Sequence, residues 1–323
     1  MSQSCTLPLL LALTTITLVA AQAAHAQQDF PNKPVHMVVP FGAASTPDNM
    51  LRILAPELNK QLGQTVVIEN KPGADGNIGL EYVAKAAAAD GYTSVVTQIS
   101  GLVTLPLLSK SVRFDPIKDL PPLVGMVEGK YVLTTAAGLG TNSFKDFVAL
   151  AKANPGKYNF GTSNSVVRMQ TEAILRELGL NLVHVPYKTG AAYIQAVGGN
   201  EVQFGLMAEG SAVTLANRIR AIAVTGQSRT NKFADVPTFA ELNLPNVLGV
   251  GYSLHMRVGT PKFAMDKMDN AMRQTLNNPQ IKEKLANMGL EVLNLSAEAT
   301  ARRIAAESKI YSEVARSVGI QAE

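Results

Sequence analysis

Apolar residues follow two alternating patterns along the chain. Short apolar runs, which are typical of strands, alternate with longer segments whose apolar residues recur every three or four positions, as on one face of a helix. The predicted strands cover residues 36–40, 65–68, 93–97, 131–135, 158–160, 182–186, 202–207, 221–224 and 291–293, with an extended segment at 248–258. The predicted helices cover residues 47–62, 78–89, 170–178, 191–197, 261–277, 279–288 and 297–318, and residues 143–146 resemble a helix capping box. Strands that alternate with helices predict an α/β fold with a mostly parallel sheet.

The start of the first helix is the first candidate binding site. Thr46 suits the N-cap, Pro47 suits the first helical position, and Asp48 in the first turn complements the positive helix end. Small loop residues just before this start leave backbone N–H groups accessible to a ligand carboxylate: Gly42, Ala43, Ala44 and Ser45. An ordinary strand-to-helix turn is the alternative, and composition alone supports it about equally. Pro56 predicts a kink or break of this helix near residues 52–55.

Residues 1–26 have the properties of a secretory leader. They contain no Asp, Glu, Lys or Arg, carry an apolar run at 7–21, and end in an A-x-A motif that predicts cleavage after Ala26. Cys5, the one cysteine of the sequence, lies in this leader, so the mature chain has neither disulfide nor thiol chemistry. No later apolar run is long enough to span a membrane. These properties predict an exported, periplasmic protein.

The length after the leader suggests two domains, because domains usually contain roughly 100–200 residues. The net charge of +4 is scattered along the chain, which argues against a nucleic-acid partner. The last hundred or so residues are rich in predicted helix, and we expect them to rejoin the first domain. The expected division is residues 27–125 with 250–323 in one lobe, and residues 126–249 in the other.

Two later strand-to-helix loops resemble the first. Residues 161–165 read Gly-Thr-Ser-Asn-Ser, and residues 187–191 read Tyr-Lys-Thr-Gly-Ala. Loops from two domains that converge on one crevice are typical of ligand sites in α/β proteins. The candidate contacts in these loops are Gly161, Thr162, Ser163, Asn164, Tyr187, Thr189, Gly190 and Ala191.

The sequence lacks the usual catalytic motifs. It contains no G-x-S-x-G, H-E-x-x-H or C-x-x-C motif, and the glycines at 73, 76 and 79 do not form G-x-G-x-x-G. The three histidines of the mature chain, His36, His184 and His255, have no metal-ligand spacing, so we expect structural roles for them. We therefore predict no catalytic residue, no metal and no cofactor.

A series of ordered motifs resembles one known family over the whole mature chain. The motifs lie at residues 31–35, 39–41 with Asp48 and Arg52, 62–74, 89–93, 184–188, 235–238 and 259–261. They resemble the Bug-type periplasmic solute-binding proteins of tripartite tricarboxylate transporters. The resemblance implies a two-lobe periplasmic-binding-protein fold of type II, with a hinge between the lobes. It also implies a small carboxylate solute, ligand contacts in the loop at 187–191, and delivery of the solute to a membrane permease.

The chain departs from this family near the expected ligand. Ala44 and Ser45 stand where the family usually has a Gly-Gly pair, and the loop at 161–165 is about two residues shorter. Arg168 replaces the family's usual His and, if it faces the cleft, can hold a carboxylate through a bidentate fork; a place on the helix surface is the alternative. The sequence has no Trp, and Tyr252 stands near the position where many relatives carry one.

These features predict a monomeric, non-catalytic receptor for a mono- or dicarboxylate. Phe41 offers an apolar wall, and hydroxyls come from Ser45, Thr162, Ser163 and Thr189, so we expect an aromatic acid before a citrate-like one. Asp48 is expected mainly to stabilise its own helix. Two other functions stay open: an exported α/β enzyme that acts on a small acid with Asp48 as base, and a binding protein that serves a sensor instead of a permease.

Overall fold

The computed structural model describes residues 30–226, 228–319 and 322. The predicted leader and its cleavage site at Ala26 lie outside these residues. Within them, no helix has both the length and the apolar character that crossing a membrane requires.

The described residues form eleven strands and ten α-helices. The strands are β1 (Val35–Val39), β2 (Val66–Asn70), β3 (Thr93–Gln98), β4 (Pro122–Gly129), β5 (Tyr131–Ala136), β6 (Asn159–Thr162), β7 (Val183–Pro186), β8 (Phe204–Ala208), β9 (Ile219–Val224), β10 (Val250–Met256) and β11 (Leu290–Leu295). The helices are α1 (Thr46–Leu62), α2 (Asn77–Glu81), α3 (Ile99–Leu108), α4 (Phe144–Ala153), α5 (Ser165–Glu177), α6 (Gly190–Gly198), α7 (Glu209–Thr214), α8 (Lys262–Asn277), α9 (Pro279–Asn287) and α10 (Ala297–Val318).

The strands form two separate sheets. The first sheet has six strands in the order β11-β4-β10-β3-β1-β2, and the second has five in the order β7-β6-β8-β5-β9. The chain leaves the first sheet after β4 and enters the second at β5, so this crossing lies at Lys130. It returns between β9 and β10, because β10 belongs again to the first sheet. The α/β class is confirmed.

The expectation of a mostly parallel sheet is wrong. Strand β1 pairs parallel with β2 and β3, and β6 pairs parallel with β7 and β8. The remaining pairs are antiparallel. In the first sheet, β10 is antiparallel to β3 and β4, and β11 is antiparallel to β4. In the second sheet, β5 is antiparallel to β8 and β9. Both sheets are therefore mixed.

Strand β1 is buried on both faces, as central parallel strands usually are. Val35, Met37 and Val39 pack with the apolar face of α1, whereas Val38 packs with Leu80 on the opposite side. The helical spacing of the apolar residues of α1 therefore decides which face of the helix covers the sheet. This packing fixes the start of α1 at the carboxyl end of β1.

Helix α1 begins one residue earlier than expected and is not interrupted. Ser45, not Thr46, holds the N-cap position, and its side chain makes no capping hydrogen bond. The helix continues through Pro56 without the expected break and ends at Gly63, whose φ of 68° closes it. Burial of the apolar face on β1 outweighs the one backbone hydrogen bond that Pro56 removes.

The last helix joins the two sheets. Helix α10 packs on α3 and β4 of the first sheet and also on α5, which covers the second sheet. Gln170 of α5 donates a hydrogen bond of 2.9 Å to the hydroxyl of Tyr311 on α10 and accepts one of 3.1 Å from the N–H of Leu248. One buried side chain thus connects α5, α10 and the returning segment.

Candidate functional site

A cavity of about 990 Å³ lies between residues of the two sheets. From the first side it is lined by Phe41, the loop residues Ala74 and Asp75, Gln98 and part of α3; from the second side it is lined by the start of α5. This volume lies at the upper end of the usual range for small-ligand pockets, roughly 300–1,000 Å³. Three of the predicted contacts, Phe41, Asn164 and Arg168, line the cavity.

The loop between β1 and α1 is held by side chains from its surroundings. The carboxylate of Asp48 accepts a hydrogen bond of 2.9 Å from the N–H of Ala44, whose φ is 61°. Asn49 donates to the carbonyl oxygen of Ala44 at 3.1 Å, and Asn70 donates to that of Phe41 at 3.1 Å. The conformation of the loop is therefore fixed beside the cavity.

Asp48 is 1% exposed and is turned toward this loop. Arg52 donates to both of its oxygens, from Nε at 3.0 Å and from Nη2 at 2.9 Å. Burial alone would raise the pKa of Asp48, but the hydrogen bonds from Arg52 and from the N–H of Ala44 outweigh it and lower the pKa. The Asp48 carboxylate therefore stays ionised, and the hydrogen bond that it accepts from Ala44 holds the loop between β1 and α1.

Several polar groups at this edge have no partner among the described residues. The N–H groups of Gly42, Ala43 and Thr46 have no acceptor in the described part of the chain. The hydroxyl of Ser45 and Oδ1 of Asn77 are buried without a partner there. Buried polar atoms are usually hydrogen-bonded. These groups lie in the loop before α1 and at the starts of α1 and α2, and the residues that carry them do not themselves line the cavity.

The loop at 161–164 is shaped mainly by contacts within its own sheet. Asn164 caps α5 by accepting from the N–H of Val167 at 2.9 Å. The hydroxyl of Thr162 forms a hydrogen bond of 2.7 Å with Nε2 of His184 on β7, and Thr162 does not line the cavity. A side chain at Gly161 would collide with the ring of Tyr193, so that glycine serves packing.

The loop at 187–191 lies beside the loop at 161–164 but does not line the cavity. Tyr187 donates its N–H to the carbonyl oxygen of Thr162 at 2.8 Å, and a Cβ built on Gly190 would lie 4.0 Å from Oγ of Ser163. Thr189 caps α6 by accepting from the N–H of Ala192 at 3.2 Å. The two loops therefore form one surface, and Ala191 is exposed on it.

Arg168 lies at the cavity wall and also on the helix surface, which are the two alternative positions expected for it. It lines the cavity, and its side chain is 52% exposed. Its Nε donates to Oε1 of Glu172 one helical turn later at 2.8 Å. One edge of the guanidinium is thus engaged by its own helix, while the side chain stands at the cavity wall.

Several lining residues were not predicted from the sequence. Asp75 accepts a hydrogen bond of 2.5 Å from the hydroxyl of Ser165, and Lys110 and Gln98 also line the cavity. The Asp-Gly pair at 75–76 indicates a turn and nothing more. No local pattern pairs Asp75 with a residue ninety positions away.

Tyr252 lies behind the start of α1. It is 2% exposed, its hydroxyl accepts from Nε2 of Gln98 at 3.3 Å, and Thr46 lies within hydrogen-bonding reach. Burial raises the pKa of Tyr252. Its hydroxyl therefore holds the side chain of Gln98, which lines the cavity.

The histidines occupy structural positions. His36 pairs with Glu69 on the neighbouring strand, and His184 contacts Thr162. His255 is fully buried, and both of its ring nitrogens are hydrogen-bonded. Among the described residues, no group of His, Cys, Asp or Glu is placed to hold a metal ion.

The family described as "Tripartite tricarboxylate transporter family receptor" matches residues 50–320 of this chain. The chain belongs to this family. A UPF0065 protein of Bordetella pertussis is 30% identical over 313 residues, which cover 95% of this chain and 96% of the relative. The Bug-type resemblance of the sequence motifs is confirmed by the family match and by the BugD structure described next.

Solved structures give the same assignment for this tricarboxylate transporter receptor. The periplasmic binding protein BugD is 27% identical, with a TM-score of 0.80, and the alignment covers 91% of this chain and 100% of that chain. A protein of R. palustris determined with adipate is 28% identical, with a TM-score of 0.83 and the same coverage. The two-lobe periplasmic-binding-protein fold is thereby confirmed.

Proposed function

We propose that this receptor is a non-catalytic, monomeric periplasmic protein that binds a small carboxylate and delivers it to the permease of a tripartite tricarboxylate-type transporter. The observation that carries the proposal is the cavity of about 990 Å³ lined from both sheets. Family membership and the R. palustris relative with adipate support a carboxylate as the solute. Export through cleavage after Ala26 is part of the proposal.

The site proposed for the solute carboxylate is the start of α1. The N–H groups of Gly42, Ala43 and Thr46, together with the hydroxyl of Ser45, are the donors of this region. A helix N-terminus favours an anion because its N–H groups and its dipole both attract negative charge. Phe41 supplies an apolar surface for the body of the acid.

The two sheets and their helices are proposed to move as two lobes about the crossings at Lys130 and between β9 and β10. A solute that contacts both lobes binds the closed form more tightly, and this difference in affinity drives closure. The crossing at Lys130 replaces the boundary at 125, because β4 continues to Gly129 in the first sheet. The boundary at 249 falls between β9 and β10 and is kept in the proposal.

A thermal-shift screen of organic acids tests this function. A ligand that binds only the folded protein adds about 2.7 kcal/mol of stability at a hundredfold excess over Kd. We expect at least one mono- or dicarboxylate to raise Tm, with benzoate and phthalate isomers ahead of citrate. Incubation of the same acids with the protein checks for turnover. If no carboxylate raises Tm, or if substrate loss follows protein amount, the proposed receptor function is wrong.

A further inference from the structure

One carboxylate of the chain itself stands in the cavity wall. Asp75 belongs to the loop after β2, and its Oδ2 accepts a hydrogen bond of 2.5 Å from the hydroxyl of Ser165, the first residue of α5. This hydrogen bond joins the cavity wall on the side of the first sheet to the cavity wall on the side of the second sheet. The positive end of α5 therefore already faces a carboxylate.

The backbone next to Asp75 is packed closely against Pro40, while the Asp75 side chain is exposed and is held by its hydrogen bond to Ser165. A Cβ at Gly79 would lie 2.8 Å from Cβ of Pro40 and 2.8 Å from the carbonyl oxygen of Lys71. Gly76, with a φ of 95°, also lies against Pro40. Pro40 directly precedes the loop proposed to hold the solute, so the backbone at Gly76 and Gly79 is fixed relative to that loop.

The charged side chains of the described residues that line the cavity, Asp75 included, leave no excess positive charge. Lys110 and Arg168 are balanced by Asp75 and Glu172, and Nε of Arg168 already donates to Glu172 at 2.8 Å. A monocarboxylate adds one negative charge, which the N–H groups at the start of α1 and the edge of the Arg168 guanidinium that does not donate to Glu172 can hold together. A second carboxylate that extends toward α5 would approach Asp75.

We propose that Asp75 makes this receptor selective for solutes with a single carboxylate. The inference rests on the proposed carboxylate-binding function and narrows it. Two like charges about 5 Å apart at an effective dielectric constant of about 20 repel strongly enough to weaken binding on the order of tenfold to a hundredfold, after allowance for screening. The Asp75 carboxylate repels a second carboxylate of the solute, and its hydrogen bond to Ser165 holds α5 against the first lobe.

Matched acids that differ by one carboxylate provide the test. Calorimetry at low ionic strength gives Kd of the mature protein for hexanoate against adipate and for benzoate against terephthalate. The wild-type protein should bind the monoacid of at least one pair about tenfold more tightly than its diacid, as the repulsion requires. Asp75→Asn should tighten the diacid about tenfold and change the monoacid less than about threefold, because the charge is lost while an acceptor for Ser165 remains.

Two variants separate the charge from other effects. Asp266→Asn makes the same charge change on the exposed surface of α8, outside the cavity lining, and should leave both affinities unchanged. Ser165→Ala removes the hydrogen bond but keeps the carboxylate, so the preference for monoacids should persist. Asn also tolerates the φ of 52° at position 75, so Asp75→Asn should fold.

Three results would overturn the inference. The wild-type protein could bind the diacid of both pairs as tightly as the matching monoacid, or Asp75→Asn could leave the ratio of the two affinities unchanged in both pairs. Either result would refute the role of Asp75 while the carboxylate-binding function stands. If no acid of the panel bound to the wild-type protein, the proposed function would fail and this inference with it.

Discussion

Burial decides the protonation state of His255. Its Nδ1 forms a hydrogen bond of 2.8 Å with the carbonyl oxygen of Leu120, and its Nε2 forms one of 2.6 Å with Oγ of Ser253. Burial lowers the pKa of His255 from 6.5 to about 4. The ring is therefore neutral in the folded protein at neutral pH.

The folded protein should lose stability as the pH falls, partly because of His255. Below pH 6.5 the unfolded chain binds a proton that folded His255 takes up only near pH 4, so its contribution is present above 6.5 and is lost on acidification. The loss amounts to about 3 kcal/mol. Urea unfolding at about pH 7.5 and about pH 4.5 should show a smaller loss for His255→Gln than for the wild type. Equal losses in the wild type and His255→Gln would contradict this.

Arg168 should contribute to solute binding from the cavity wall. Arg168→Ala should weaken binding of a carboxylate by about 1.5–3 kcal/mol, the usual range for a hydrogen bond to a charged group. The matched control is Arg176→Ala, which removes an exposed arginine of the same helix outside the cavity lining. Calorimetry with the tightest acid of the screen measures both variants, and unchanged binding by Arg168→Ala would exclude this role.

The residue types found near the strand ends predicted part of the cavity lining. Phe41, Asn164 and Arg168 line the cavity as their positions suggested. Asp75 and Ser165 were missed because their contact depends on how the two sheets are placed, and no neighbouring sequence encodes that placement.

At the scale of elements, Pro56 is a stability defect that α1 tolerates. It lies exposed inside a continuous helix, where it cannot donate a hydrogen bond to the preceding turn. Pro56→Ala should raise the free energy of unfolding by about 1–2 kcal/mol, since the gained hydrogen bond outweighs the added freedom of the unfolded chain. Urea unfolding measures the change. Pro279→Ala, at the first position of α9, is the control and should have little effect on the free energy of unfolding. If Pro56→Ala left the stability unchanged or lowered it, this explanation would be refuted.

Periodicity predicted most elements but missed the strand β4 and the helices α3 and α7. The segment of β4 carries Pro122, Gly125 and Gly129, which resemble a connecting loop in sequence. The strand forms because it is enclosed between β10 and β11, two strands made far later in the chain. The antiparallel pairings were missed for the same reason, since chain order alone does not show where the chain changes sheets.

At the scale of the whole molecule, Gln170 links the two proposed lobes. It is 2% exposed and bonds to Tyr311 and Leu248. Gln170→Ala should cost about 2–4 kcal/mol of stability, because it leaves a buried hydroxyl and a backbone N–H unpaired. Urea unfolding measures this cost, and small-angle scattering should show a larger radius for the variant. Gln195→Ala, on the exposed surface of α6, is the control; equal stability of the two variants would show that the link is dispensable.

The position of β10 has a consequence for the order of folding. It lies between β3 and β4 in the first sheet, yet it begins at Val250, long after β4 ends at Gly129. A chain made from its N-terminus completes all strands of the second sheet before β10 exists. Until then β3 and β4 have no strand to join them, and their open edges invite pairing with other chains. The first sheet is therefore begun before the second sheet but completed after it. We expect the nascent protein to be most prone to aggregation while residues 131–249 are being synthesised.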